Sequence, residues 1–137
     1  MKTLNSRSLD NLKGVHPDLV KVLETAIIDC PHEQGFTVTE GVRTIARQQE
    51  LYAQGRTKPG QIVTNTDGIK VKSNHQPKAD GYGYAVDLYP NPINVNDTQH
   101  IAFVGVHIKK TAQKLGVKIE WGGDWKMKDY PHFELKL

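Results

Sequence analysis

Apolar residues along the chain recur with two periods, one typical of helices and the other of strands. Within residues 18–29 they follow one another at steps of three, one, three and one residues, which predicts an amphipathic helix opened by Pro17. A longer stripe of the same kind ends at Leu115, before Gly116, a residue that commonly terminates helices. The pattern predicts three helices: residues 18–29, residues 45–54 after the cap Thr44, and a long helix after a cap at Asp97 or Thr98.

Shorter runs alternate between apolar and polar residues, as strands do. In the run 84–89, Ala85, Asp87 and Tyr89 share one face, so a carboxylate stands on a strand. Asp67-Gly68 is the strongest local hairpin signal, whereas residues 74–83 have the composition of a loop. The predicted class is α+β, a small antiparallel sheet flanked by helices. The predicted strands are residues 36–40, 62–66, 69–73, 84–89, 117–121 and 132–135.

The composition is that of a globular domain. A chain of 137 residues and 15.4 kDa has the size of one domain, which we expect to span residues 1–137. With 37% apolar and 24% charged residues, disorder and collagen-like repetition are excluded. The net charge is +3, but no basic run exceeds two residues, so nucleic acid is not expected as a partner. We expect a monomer.

The sequence indicates neither membrane insertion nor secretion. The longest run of apolar residues and glycine, residues 101–106, has six members, whereas a membrane-spanning helix needs about 20. Lys2 and Arg7 are not followed by an apolar stretch, so we expect no signal peptide and no stable membrane association. The protein is then expected to stay in the cytoplasm unless another factor releases it. Cys30 has no partner for an internal disulfide and is expected to be buried.

Four of the six histidines have structural explanations in the sequence. His16 and His32 lie in turns, where solvated or capping roles are expected. His100 and His107 lie on the long predicted helix, about 10 Å apart along its axis, which is too far for one small ion. Each of these two is expected to pack beside the apolar stripe with one ring nitrogen hydrogen-bonded.

The other two histidines are candidates for a metal site. His75 ends a predicted hairpin strand, Asp87 stands on the next strand, and His132 begins the last one. A catalytic zinc site needs three protein ligands and one open position, and two imidazoles with one carboxylate on neighbouring strands meet that need. The spacing by itself leaves the site as one hypothesis among several.

Four short motifs make the interpretation specific. They are Ser73-Asn74-His75 with Gly83-Tyr84-Ala85-Val86-Asp87, Asp129-Tyr130-Pro131-His132, Gly41-Val42-Arg43-Thr44 with Gln48, and Trp121-Gly122-Gly123-Asp124-Trp125. They are similar to signatures of the zinc D-Ala-D-Ala carboxypeptidase and phage L-alanyl-D-glutamate endopeptidase family, and occur in that family's order from about Phe36 onward. The first two correspond to S-x-H-x-x-G-x-A-x-D and D/E-x-x-H, and the other two to signatures of the phage endolysin branch.

One spacing departs from the family pattern. The family has the glycine three and the aspartate seven residues after the first histidine, whereas Gly83 and Asp87 follow His75 by eight and twelve residues. The loop is therefore five residues longer, which leaves Asp80 and Asp87 as rival ligands. Asp87 is favoured because it keeps the G-x-A-x-D context and lies on a predicted strand, while Asp80 is expected in a solvated turn.

The resemblance implies a hedgehog/DD-peptidase-like zinc peptidase fold and a mechanism. His75, Asp87 and His132 would hold Zn²⁺, which lowers the pKa of a bound water and polarises the scissile carbonyl. Asp129 would take the proton of that water and pass it to the leaving amine. Pro131 favours the bend that would bring Asp129 to the same side as His132. Glu134 is the rival base, because it shares a strand face with His132.

Other residues of the motifs have two interpretations each. Arg43 is a catalytic and substrate-binding candidate for a peptide carboxylate or the oxyanion, or else it pairs with a helix carboxylate. Gln48 is expected to orient Arg43 or to contact substrate. Trp121 and Trp125 either wall a substrate groove or belong to the core.

The implied function is that of a phage endolysin, a zinc metallopeptidase that cuts the stem peptide of bacterial peptidoglycan at the L-Ala-D-Glu bond. It would accumulate in the host cytoplasm and reach the periplasmic cell wall after holin-dependent release. Two alternatives remain open at this point. One is a D-alanyl-D-alanine carboxypeptidase on the same fold, and the other is a non-catalytic, zinc-stabilised wall-binding module.

Overall fold

A four-stranded antiparallel sheet organises the computed structural model, which describes residues 2–64, 66–69 and 73–136. The strand order within this described part is β1-β2-β4-β3. The sheet and the helices around it confirm the α+β class. Their bounds are α1 Ser6–Asn11, α2 Pro17–Ile28, β1 Phe36–Glu40, α3 Ile45–Ala53, β2 Ala85–Pro90, α4 Thr98–Leu115, β3 Ile119–Trp121, a 3-10 turn at Gly122–Asp124, and β4 His132–Leu135.

The predicted helices are confirmed, with ends that differ by at most one residue, and so are their caps. Thr44 accepts a hydrogen bond from the backbone of Arg47 at 3.1 Å, and Asp97 accepts one from His100 at 3.1 Å. Gly116 ends α4 in the left-handed conformation, with φ of 72°. Strands β1 and β4 match the predicted runs, β2 is shifted by one residue, and β3 begins two residues later than predicted.

The hairpin prediction is wrong where the structure can test it. Residues 62–64, 66–69 and 73 form no strand, while residues 65 and 70–72 of the two predicted runs lie outside the described residues. The side chain of Gln48 donates to the carbonyl of Thr66 at 2.6 Å. The side chain of Gln76 donates to the carbonyl of Gly68 at 3.1 Å. The segment thus bonds with two buried amide side chains, and only its Asp67-Gly68 turn chemistry was interpreted correctly.

Helix α1 was not predicted, because it carries no apolar stripe. Its polar side chains bond instead to the edge strand β1. The hydroxyl of Ser8 accepts from the backbone N–H of Val38 at 2.9 Å, and the amide of Asn11 donates to the Val38 carbonyl at 2.9 Å. Val38 lies beside an irregularity in the pairing of β1 with β2. Helix α1 therefore satisfies outward-facing backbone groups of an edge strand and covers that edge of the sheet.

The hydrophobic core lies on one face of the sheet. Helices α2 and α4 pack against that face with buried aliphatic side chains, and no described helix has the length and apolarity required to cross a bilayer. On β2, Val86 and Leu88 point into the core, so the alternation of a strand sends Asp87 to the opposite face. That opposite face is where the candidate functional residues lie. The main core contributors are Leu19, Val22 and Leu23 of α2, Val104 and Ile108 of α4, and Phe36, Val38, Val86, Leu88 and Phe133 of the sheet.

Gly105 provides a test of the packing of α4 on the sheet. A Cβ atom at this position would lie 2.5 Å from two ring carbons of the buried Trp121. In an exposed helix, Gly→Ala stabilises by about 1 kcal/mol, whereas overpacking a core costs typically 1–3 kcal/mol. We expect Gly105→Ala to lower the free energy of unfolding by roughly 1 kcal/mol. Gln113→Ala, on the exposed face of α4, is the control. Urea unfolding of both variants measures the effect, and a more stable Gly105→Ala would contradict this packing.

Candidate active site

Three side chains converge on one point beneath an open cleft. One oxygen of Asp87, Oδ1, lies 3.5 Å from Nε2 of His75 and 3.5 Å from Nδ1 of His132. The three potential ligand atoms all lie within 4.8 Å of one another. Asp87 and His132 are direct partners in the pairing of β2 with β4, which puts both on the face away from the core. The structure thus brings together the three residues that the sequence proposed as ligands.

His75 comes from the loop that precedes β2. The carbonyl of Asn74 accepts a backbone bond from Tyr84 at 2.8 Å, which closes the loop at its base. The carbonyl of His75 accepts another from Arg43 at 2.8 Å. These two bonds fix the backbone of His75 between the start of β2 and the segment after β1.

Each histidine is oriented by a bond from its other ring nitrogen. Nδ1 of His75 donates to the carbonyl of Gly41 at 2.9 Å, and Nε2 of His132 donates to a carboxylate oxygen of Glu134 at 2.8 Å. Those bonds leave Nε2 of His75 and Nδ1 of His132 facing Asp87. Two imidazole nitrogens and a carboxylate then surround one point, and outer partners of this kind are typical of metal-binding histidines.

The close approach at Gly41 requires a residue without a side chain. A Cβ atom there would lie 1.8 Å from the backbone carbonyl oxygen of Asn11, which cannot move without disturbing α1. The carbonyl of Gly41 that orients His75 is therefore held by direct packing against the first helix.

The electrostatics of the cluster favour a cation at its centre. Burial by itself would raise the pKa of Asp87, but hydrogen bonds to His132 and His75 outweigh it and hold that pKa well below its usual range. Burial opposes the charge on His132, yet bonds to Asp87 and Glu134 raise its pKa to about 9. Burial likewise opposes the charge on Glu134, but His132 and Lys136 lower its pKa to about 2. A bound metal would displace the proton of His132.

Asp80 lies in an exposed turn. Its carboxylate accepts from the backbone of Tyr82 at 3.0 Å and from the hydroxyl of Tyr84 at 2.5 Å. It is absent from the one three-residue group in the described chain that has metal-binding geometry. The geometry therefore favours Asp87 over Asp80 as a ligand.

The cleft above the cluster has a volume of about 520 Å³, and Asp129 lies on its wall. The carbonyl of Asp129 accepts from the backbone of His132 at 3.1 Å, so a turn that contains Pro131 brings both side chains to the same cleft. Its backbone N–H donates to the carbonyl of Gly122 at 2.9 Å. Partial burial and the charge of Asp87 raise the pKa of Asp129. The predicted bend is therefore present, and it leaves beside the candidate ligands a carboxylate that bonds to no side chain in the described part of the chain.

Arg43 is clamped at the cleft by two side chains. Glu40 accepts from its Nε at 2.8 Å and from its Nη2 at 2.9 Å, and Gln48 accepts from its Nη1 at 2.8 Å. Nη2 also lies 3.8 Å from Asp87. Gln48 is fully buried behind Arg43, in a position to orient that guanidinium.

The two tryptophans have different surroundings. Trp125 lies on the cleft wall with its ring centroid 5.1 Å from that of His132, and its indole N–H donates to Glu120 at 2.6 Å. Trp121 is stacked on Phe133 at 6.1 Å between centroids and is buried. Trp125 therefore lies on the wall of the cleft, and Trp121 belongs to the core.

Three other candidate residues have the structural roles that the sequence predicted: the ring of His16 caps α2 by accepting from Asp18 at 3.1 Å, His107 donates to a carbonyl at 2.9 Å, and Cys30 is buried. The prediction for His100 is wrong, because its side chain is exposed and bonds to Asp97 at 2.5 Å instead of packing beside the apolar stripe. His32 bonds to the carbonyl of Asn91 at 2.6 Å and caps none of the described helices. Sequence reasoning missed the bond of Glu40 with Arg43 and that of the Gly41 carbonyl with His75, and it did not predict the bond between Glu134 and His132. The position of Glu134 two residues after His132 on one strand was the available signal.

Comparison with known proteins agrees with this site. Residues 1–136 match the family model described as phage L-alanyl-D-glutamate peptidase. The chain belongs to this family. Among curated relatives of this peptidase family, the chain is 36% identical to the peptidoglycan L-alanyl-D-glutamate endopeptidase CwlK of Bacillus subtilis (strain 168), over 88% of the chain and 73% of that protein. It is 29% identical to the L-alanyl-D-glutamate peptidase of Escherichia phage T5, over 91% of the chain and 82% of that protein.

The family's fold is found in a solved structure. The crystal structure of Serratia marcescens L-Ala D-Glu endopeptidase ChiX superposes with a TM-score of 0.75 and 35% sequence identity, covering 98% of the chain and 90% of that structure. The resemblance inferred from the four motifs is thereby confirmed, together with the expectation of a peptidase of the L-alanyl-D-glutamate type.

The rivalry between Asp87 and Asp80 leads to a test of metal binding. We expect Asp87→Ala to reduce the affinity for a divalent metal by more than the ~10–100-fold typical of residues that only contact ligands. Asp80→Ala should leave the affinity unchanged, because its partners are surface groups. Elemental analysis after dialysis measures the metal bound by each variant. His75→Ala and His132→Ala should also lose the metal. If Asp80→Ala lost the metal and Asp87→Ala kept it, the metal site would lie in the loop instead.

Proposed function

We propose that this family member is a zinc-dependent endopeptidase that hydrolyses the L-Ala-D-Glu bond of the peptidoglycan stem peptide. In this proposal His75, Asp87 and His132 hold the metal and Asp129 is the general base. The observation that carries it is the convergence of the three donor atoms at the floor of a cleft whose wall includes Asp129. The choice of the L-Ala-D-Glu bond rests on the names of the family and of its relatives.

The donor set fits zinc. Two imidazole nitrogens and one carboxylate form a three-ligand set with an open fourth position, as in catalytic zinc sites. The carbonyl of Gly41 and the carboxylate of Glu134 hold the rings in the tautomers that such a site needs. Zinc bound there would supply a Lewis acid that makes water more acidic and polarises a carbonyl.

Asp129 fits the role of proton carrier. Its carboxylate belongs to the cleft wall, whereas that of Glu134 is occupied by His132 at 2.8 Å, Asn74 at 2.9 Å and Lys136 at 3.1 Å. A base must have a free oxygen within reach of the attacking water. Asp129 would accept the proton of that water and return it to the amine that leaves when the peptide bond breaks.

Arg43 and Trp125 fit substrate binding. Because Glu40 and Gln48 fix the guanidinium, the N–H groups that remain are presented in a set direction toward the cleft, where they would bind a substrate carboxylate or the developing oxyanion. A D-glutamate residue supplies such a carboxylate. The ring of Trp125 would form an apolar wall for the stem peptide on the side of His132.

The proposed place of action is inferred from the similarity to the phage relative. We propose that the protein acts as a monomer, accumulates in the host cytoplasm and reaches the periplasmic cell wall by holin-dependent release, in line with an endolysin. The kinship with the peptidase of Escherichia phage T5 supports this lytic role.

Digestion of purified sacculi tests the proposed bond. We expect the enzyme to release peptides with a free N-terminal D-Glu and to leave L-Ala on the glycan. A chelator should abolish release, and added Zn²⁺ should restore it. Mass analysis of the fragments separates the alternatives: free D-Ala would indicate a carboxypeptidase, and binding without any product would indicate a wall-binding module. Either result would contradict the proposed reaction.

The roles of Asp129 and Glu134 are separable by isosteric variants. Asp129→Asn should keep the metal and lose about 10²–10⁴-fold in kcat, the usual contribution of a positioned base. Glu134→Gln should weaken metal binding by roughly 10–100-fold and regain turnover when zinc is saturating, because its contact is with His132. Bound zinc and kcat are measured for both variants. Near-normal turnover in Asp129→Asn, with collapse of zinc-saturated Glu134→Gln, would assign the base to Glu134.

A further inference from the structure

A second cavity, larger than the catalytic cleft, lies between the C-terminal half of α4 and the edge strand β3. Its volume is about 810 Å³, and among the described residues none lines both this cavity and the catalytic cleft. Its lining includes the aliphatic side chains of Val106, Val117 and Ile119. The proposed peptidase mechanism makes no use of it.

Lysines surround this aliphatic lining. Two of them are neutralised locally: Lys109 is 2.6 Å from Asp124, and Lys136 is 3.2 Å from Glu120 and 3.1 Å from Glu134. The other two, Lys110 and Lys118, are exposed and have no ion pair among the described residues. The groove therefore combines an apolar interior with two uncompensated positive charges at its rim.

Helix α4 continues this surface with an exposed apolar ridge. Phe103 is 56% exposed and Val106 is 46% exposed, one turn apart, and Lys110 follows one turn later on the same side of the helix. Exposed aromatic and aliphatic side chains beside lysines are typical of helices that lie in the interface of a membrane.

We propose that this groove and ridge bind an anionic phospholipid and dock the enzyme reversibly on a membrane surface. The aliphatic groove would take acyl-chain carbons, while Lys110 and Lys118 bind the phosphate. A purely ionic polymer would neutralise the lysines but leave Phe103 and Val106 in water, so a ligand with both an apolar and an anionic part fits better. The proposal goes beyond the peptidase function and does not depend on it.

Vesicle binding with charge-matched variants tests the lysines. The probes are vesicles of phosphatidylglycerol mixed with phosphatidylcholine, and vesicles of phosphatidylcholine alone. We expect binding only to the anionic vesicles, with a loss of about 30-fold or more in Lys110→Glu/Lys118→Glu. The control Arg7→Glu/Lys21→Glu makes the same change in net charge at exposed positions of α1 and α2 and should lose much less. Equal losses in both variants would show attraction by net charge alone and overturn the site.

A second pair of variants tests the apolar part. We expect Phe103→Ser/Val106→Ser to bind anionic vesicles several-fold more weakly, while Ile93→Ser/Val95→Ser, which removes an equally exposed apolar pair, binds normally. Unchanged binding by the first variant, or full competition by inorganic phosphate, would indicate an anion site and overturn the lipid proposal. Circular dichroism and the hydrolysis of soluble stem-peptide fragments should be the same in all variants, so a failure of lipid binding is distinguishable from a failure of the peptidase function.

Discussion

The pairing of β2 with β4 is the constraint on which the rest of the site depends. Asp87 lies opposite His132, and the adjacent pair, Val86 and Phe133, points the other way into the core. Because neighbouring residues on a strand face opposite sides, the burial of Val86 and Phe133 also sends Asp87 and His132 to the cleft. A slip of one residue would bury the carboxylate and expose the phenyl ring, so the hydrophobic effect itself selects the register that assembles the site.

Much of this arrangement is predictable from local sequence. The helix ends follow from Thr44, Asp97 and Gly116, because caps act within one turn of the chain. The turn at Pro131 and the face of the sheet on which Asp87 lies follow from equally local rules. The ligand choice needed the family motifs in addition, since His75 is distant in sequence from His132 and no periodicity links them.

What could not be predicted depends on contacts between distant segments. The β-prone residues around Asp67-Gly68 predict a hairpin, but the side chains of Gln48 and Gln76 donate hydrogen bonds to backbone carbonyls there. The hydrophobic pattern does not predict helix α1, because this helix binds β1 through polar side chains. In the first case the deciding partners are the side chains of Gln48 and Gln76, and in the second the backbone of Val38 in another element. Local propensity does not register such contacts.

The closed base of the loop between His75 and β2 explains why an unusual spacing is compatible with the family's site. The bond from Tyr84 to the carbonyl of Asn74 joins the two ends of the loop, so His75 and Asp87 are placed by the base and by the sheet. Residues 77–82 of the loop are exposed, so additional length there need not displace either ligand. The number of residues between two ligands is therefore a poor criterion for this site, and a search pattern with fixed intervals would miss this chain.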